Sequence, residues 1–353
     1  MLSMGRRWWS VHAQEGLGEP WGPQRFIALT CTLAVSGLAC ELGARASETT
    51  DLESIDEPDE IGESEDEISE SEDDPSTERL DLGESPTNGD DDDADKPTGC
   101  NHIDFLFAID NSDSMLDEQR NLAASAPGFI ASIHSILELE SVHLGVTTSE
   151  AYPHAAQGCQ QLGGLVDQTV IGECGPYEDG YRFMTLADDL DDAFGCAAKL
   201  GNTGASDERP LESMVKALGS DLHADGACNE DFIRDDALLV VVLITDEEDD
   251  DEDGEGLWGS DGEPDDWFDA VIDAKGKMEN VVALSLIGTS PPNNCPTWDG
   301  SSGAEVGTRI REFTEMFGAH GVIGDVCAED YGGFFSDVME LIEQACDDFD
   351  PVE

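Results

Sequence analysis

The chain predicts an α/β fold, a doubly wound and mostly parallel sheet with helices on both faces. Three observations carry this expectation. Strand-like runs stand at 103–109, 142–148, 237–245 and 281–287, and the first is apolar on both faces, as a central parallel strand must be. Between the runs, apolar residues recur at helical spacing. Strands and helices alternate along the chain, which calls for crossover connections and parallel pairing.

The elements follow in order. The first strand, 103–109, leads into a serine loop and then a helix marked by Leu122, Phe129, Ile130, Ile133 and Leu137, with Pro127 as a point of kinking. The second strand is 142–148. Residues 150–180 are rich in glycine and hold Cys159 and Cys174, so they read as a surface insertion stapled within itself. Leu190, Ala193, Phe194, Ala197 and Leu200 mark the next helix. Leu211, Met214, Val215 and Leu218 mark another, with Gly219 as its stop. The strand 237–245 is followed by helices near 265–279, 305–318 and 333–346, with the strand 281–287 between the first two. Further insertions are expected near 247–265 and 289–304.

Ahead of this domain, at 99–350, the chain changes character. Arg6, Arg7 and Arg25 precede a short apolar stretch at 26–39, which reads as an export signal occupying 1–40 and is too short to span a membrane. It ends Gly37-Leu38-Ala39-Cys40, similar to a bacterial lipoprotein cleavage box, and makes Cys40 the lipidation candidate. Residues 41–98 are dense in Asp, Glu and Ser and lack apolar periodicity, the composition of a disordered acidic tether. The expected location is therefore outside the cytoplasm. The chain would be lipid-anchored, at the outer membrane in preference to the inner, or secreted, and would meet the membrane only through the anchor.

If Cys40 is the first mature residue, eight of the ten cysteines remain, an even number that suits disulfides in an exported chain. There is no C-x-x-C pair to suggest zinc. Cys100 just before the first strand and Cys346 at the end of the last helix are expected to pair, since a doubly wound domain can bring those points together. Cys159 with Cys174 is the second expected pair.

The net charge of −65 excludes nucleic acid as a partner, because phosphates would be repelled, and favours cations. Two strands end in aspartate: the first in Asp110-Asn111-Ser112-Asp113-Ser114, the third in Thr245-Asp246. In open parallel sheets ligands gather beyond such carboxyl ends. Hydroxyl and carboxylate oxygens at i, i+2 and i+4 of a loop suit a hard octahedral cation.

Asp110-x-Ser112-x-Ser114 after a buried strand, with Asp246 ending a later one, resembles the metal-ion-dependent adhesion site (MIDAS) of von Willebrand factor A domains. The resemblance spans residues 100–347 and implies the Rossmann-like fold of that family, here stapled by disulfides. It implies coordination of Mg2+, or of Mn2+ or Ca2+, by Ser112, Ser114, Asp110 and Asp246, with a threonine from a third loop. That loop is 201–208, where Thr203 is the first candidate and Ser206 the second. It also implies that the ion accepts an exposed carboxylate from a protein or other surface ligand. Asp113 and Glu247 stand where the family often has glycine, and both add negative charge beside the ion.

Asp249-x-Asp251-x-Asp253-Gly254 matches the opening of an EF-hand loop, but Ser260 stands where the bidentate glutamate belongs, so 249–255 offers at most weak Ca2+ binding. Motifs of hydrolases, zinc proteases and phosphate-binding loops are missing, and no enzyme is expected. The function expected is a metal-dependent binding module. The alternatives are an interaction module of the same fold without a working metal site, and an acidic chain that sequesters cations.

Overall fold

The computed structural model describes residues 100–136, 139–205, 207–249, 259–296 and 303–351. The export signal with Cys40, the tether 41–98, Leu137, Ser206 and most of the acidic 249–255 segment lie outside these. Contacts divide the chain into Met1–Ser85 and Pro86–Glu353, and the described residues all belong to the second unit.

Six strands form the main sheet. They are β1 (His102–Ile109), β2 (Ser141–Thr148), β5 (Met184–Thr185), β6 (Leu238–Ile244), β7 (Val281–Ile287) and β8 (Gly321–Asp325), in the order β5-β2-β1-β6-β7-β8. All neighbours are parallel except β5, which runs antiparallel to β2 at one edge. A separate ribbon pairs β3 (Gln168–Thr169) with β4 (Gly172–Glu173).

Alternation along β1 explains the layers. Phe105, Phe107 and Ile109 face α1 (Leu116–Ile136), α2 (Leu190–Ala197) and α7 (Gly332–Asp348), where Phe129, Phe194 and Phe335 pack. Leu106 and Ala108 face α3 (Pro210–Leu218), α5 (Pro264–Lys275) and α6 (Thr308–Glu315), against Met214, Trp267 and Phe313. A short helix, α4 (Ser220–His223), follows α3. This is the α/β fold expected, with helices on both faces. Local signals place the ends. Pro264 opens α5 beside a reciprocal cap between Glu263 and Asp266, and Gly276 closes it at φ 73°.

Buried charge marks the amino ends of the strands. Asp104 is fully buried and receives the Arg234 side chain at 2.6 and 2.8 Å as well as the Arg234 backbone N–H at 2.8 Å. His143 is packed as a strand residue, its ring tilted 33° against that of Phe183 with centroids 4.3 Å apart, and its Nδ1 lies 2.8 Å from the Phe232 carbonyl.

Four disulfides staple the domain. Cys100 pairs with Cys346, their Cα atoms 4.7 Å apart. The expected Cys159–Cys174 staple does not form. Cys159 pairs with Cys228 beyond α4, and Cys174 pairs with Cys196 on α2. The reason is that the insertion is not closed on itself. It lies across the rim of the sheet, and each of its cysteines meets a different neighbouring element. Cys295 pairs with Cys327. Among the described residues no helix is long and apolar enough to cross a membrane.

Candidate metal centre

β1 and β6 lie side by side to their last residues, Ile109 opposite Ile244. The pairing continues one step further, where the Asp110 N–H donates to the Ile244 carbonyl at 2.9 Å. This delivers Asp110 and Asp246 to the same carboxyl edge of the sheet, at its centre.

Asp110 is fully buried and both of its oxygens are in use. Oδ1 accepts from the Ser112 N–H at 2.8 Å and the Ser149 hydroxyl at 3.1 Å. Oδ2 accepts from the Thr245 hydroxyl at 2.9 Å and the Ser112 hydroxyl at 3.2 Å. Ser112 and Ser114 hydroxyls lie 3.3 Å apart, and Ser114 donates to Asp246 Oδ1 at 3.1 Å. Asp246 Oδ2 is buried and has no hydrogen-bond partner. Four of the five expected ligands therefore share one cluster. The fifth, Thr203, sits on the third loop but is exposed.

That third loop is held against the cluster at both ends. The Gly204 N–H donates to the Asn111 carbonyl, and the Arg209 N–H donates to the Ser149 carbonyl, both at 2.9 Å. Gly204 is required: a Cβ there would lie 2.6 Å from the Asn111 carbonyl oxygen. Glu150 bridges the same two segments, accepting from Asn111 Nδ2 at 2.9 Å and the Ala205 N–H at 3.1 Å. Gln119 reaches back from α1 to donate to the carbonyls of Asp110 and Gly201, each at 2.9 Å, and accepts from the Gly201 N–H.

Three residues that the motif does not contain bring further carboxyl chemistry. Glu208 is 7% exposed and its Oε1 has no hydrogen-bond partner. Glu118, at the start of α1, is equally buried, and its Oε2 is likewise unpartnered. Asp249 is fully engaged, receiving the Leu211 N–H at 3.0 Å and both the N–H and hydroxyl of Ser260 at 2.6 Å. It ties Ser260 to the start of α3.

So many buried carboxyls resist ionisation. Burial raises Asp110, against the hydrogen bonds that support its charge. Burial and then the charge of Asp110 push Asp246 up to about 8. Burial, with Asp110 and Glu247 nearby, raises Glu208 still further. Burial and Asp117 push Glu118 up to about 7.

A divalent cation is the group this arrangement fits. It would supply the positive charge that the cluster lacks, and Asp246 Oδ2 has no hydrogen-bond donor to compete for it. A cavity of about 150 Å³ opens beside Ser114 and Asp246, lined also by Glu118, Asn121 and Glu329. Cys295, Asp325 and Cys327 also converge, but both sulfurs are committed to a disulfide and offer no thiolate.

Neither a protein-family model nor a curated protein matches the chain. Among solved structures, two of proximal thread matrix protein 1 from the mussel byssus align with 70% of this chain and 48% of theirs, at 11% identity and a TM-score of 0.36. One of the two has a zinc-occupied MIDAS motif. The pilus adhesin SpaC from Lactobacillus rhamnosus GG, in an open conformation, aligns over 69% of this chain and 30% of its own, at 13% identity and a TM-score of 0.35. The chain thus spans about half the length of the mussel protein and under a third of the adhesin. The strand order and the two helical layers, rather than these alignments, define the fold.

Proposed function

We propose that this protein is an interaction module that engages its partner through a divalent cation, Mg2+, Mn2+ or Ca2+, held at the carboxyl edge of the sheet. The observation that carries the reading is the unpartnered Asp246 Oδ2 inside a buried cluster of carboxylates and hydroxyls. Asp110, Ser112, Ser114 and Asp246 would hold the ion, and Thr203 stands on the loop that the resemblance assigns to a further ligand. The bound cation would supply Lewis acidity toward an oxygen of the partner. Asp110 is positioned by Ser149, Thr245 and its own backbone, so the site is preorganised for the ion.

The same reading places the module outside the cytoplasm, secreted or tethered through Cys40 and the acidic 41–98 segment. Four disulfides support an oxidising compartment.

Calorimetric titration of Mg2+ and Mn2+ into the full chain, beside Asp110→Ala and Asp246→Ala, tests the site. One saturable site that is lost in both variants is expected. Weak, unsaturable uptake unchanged by either substitution would overturn the reading in favour of a chain that merely accumulates cations.

A further inference from the structure

The cavity of about 150 Å³ beside the cluster is lined by four carboxylates, Asp117, Glu118, Asp246 and Glu329, and by no basic side chain. A single water needs only about 10–15 Å³, so the space admits a larger group. Asp117 and Glu329 are exposed, which leaves the cavity open to a partner. The other two are buried at its wall. Glu118 is 7% exposed and Asp246 1%, and neither Glu118 Oε2 nor Asp246 Oδ2 has a hydrogen-bond partner. The neutral lining groups do not supply the missing donors. Ser114 gives its hydroxyl hydrogen to Asp246 Oδ1, and Asn121 turns its amide nitrogen to the Ala328 carbonyl at 3.2 Å. The cavity is therefore short of donors and of positive charge together, a costly state for buried carboxyls.

A second metal ion does not meet that need. Among the described residues, no three of these carboxylates gather their oxygens closely enough to share one ion. Spread around a cavity, they suit a group that carries several donors of its own. A lysine ammonium has three donors and no acceptor, and an arginine guanidinium has five. Both heads stand on aliphatic stems, and the cavity offers such a stem an apolar side in Pro296 and in Cys327, which is bridged to Cys295. The rival occupant is a proton held between Glu118 and its acidic neighbour Asp117.

We infer that this cavity receives a lysine or arginine side chain of a protein partner, next to the cation site. The inference rests on the reading of the domain as an interaction module, and not on the ion itself. With an ion drawing on Asp110 and Asp246, the charges of Asp117, Glu118 and Glu329 remain for the partner's base. The partner would then engage two adjacent points, the ion through an oxygen and the cavity through a cation.

The test is an amide NMR titration of the full chain with Nα-acetyl-arginine amide, with Nα-acetyl-lysine amide, and with Nα-acetyl-citrulline amide, the neutral counterpart of the first. Glu118→Gln, Glu329→Gln and Asp110→Ala are run beside the unaltered protein, in Mg2+ and in chelator. A basic amide should cause saturable shifts at 114–121 and 327–329, and the citrulline compound none. Glu118→Gln should weaken the basic amide by about tenfold, the loss of one charged hydrogen bond. If that variant loses the native spectrum, Glu329→Gln reads the same effect, expected to be severalfold. Asp110→Ala should lose Mg2+ and still bind the amide. Equal binding of the citrulline compound, or unchanged binding in the glutamine variants, would overturn the inference and leave the proton as the occupant. Shifts that spread without saturating would overturn it too. Mg2+ bound without any saturable amide site would sink this inference alone, whereas a saturable amide site without Mg2+ binding would sink the metal reading alone.

Discussion

The Ser114 hydroxyl donates to Asp246 Oδ1 at 3.1 Å across 132 residues of sequence, tying the loop after β1 to the end of β6. Because Ser114 also lies against Ser112, this single contact connects both halves of the cluster. Ser114→Ala removes the link while leaving the strand pairing beneath it intact. We expect Mn2+ affinity to fall by about tenfold, with a loss of stability of about 1 kcal/mol. Calorimetry and urea unfolding of the same samples check both.

Metal-free protein should lose stability as pH rises. Asp246 titrates near 8 when folded and near 4 when unfolded, so its favourable contribution is complete below pH 4 and is lost as pH climbs toward 8. Glu118, at about 7, acts in the same direction over a narrower window. In chelator, the melting temperature should drop by several degrees, on the order of 5 °C, between pH 5 and pH 8. Excess Mn2+ should restore it at pH 8, and Asp246→Asn should flatten the profile. Differential scanning calorimetry reads all three.

Gly204→Ala should damage the site more than the fold. Its methyl group would press on the Asn111 carbonyl at 2.6 Å and drive the third loop outward. The loop's surroundings are largely solvent, so the stability cost should stay near 1 kcal/mol. Cation affinity should fall severalfold, and titration with Mn2+ measures it.

At the opposite edge, Arg234→Met should be severe. It would leave Asp104 fully buried without its guanidinium partner, a loss of about 3–5 kcal/mol by urea unfolding. The double substitution with Asp104→Leu should recover much of that, since removing both charges leaves none unpaired.

Replacing Cys100 and Cys346 together by serine opens the bridge that encloses nearly the whole domain, across 246 residues of sequence. Loop entropy predicts a loss of about 4–5 kcal/mol. The cation site lies at the other end of the strands and should bind Mn2+ unchanged at temperatures where the variant is folded.

Legibility in the sequence followed burial. β1 and β6 can be read because both faces of each are covered, so nearly every side chain is apolar. β8 escapes notice because Gly-Val-Ile-Gly-Asp is half-buried throughout. Gly324 is small because Phe334 occupies the space a Cβ would need. β5 is two residues at an edge and has no periodicity to detect.

The centre divides in the same way. Asp110, Ser112, Ser114 and Asp246 follow their strands and so could be placed from local pattern. Ser149 and Gln119 enter through tertiary contacts that no spacing encodes. The 150–180 insertion misled on pairing because two cysteines close in sequence look like a local staple, whereas each was reaching for a separate element.

The clamp between Asp249 and Ser260 has an engineering consequence. Its hydrogen bonds of 2.6 Å fix both ends of the intervening stretch against the start of α3, independently of what joins them. Lengthening a connection whose ends are already held costs only about 0.6 kcal/mol per doubling. A fluorescent reporter or peptide epitope can therefore be spliced between residues 250 and 258 without renegotiating the scaffold.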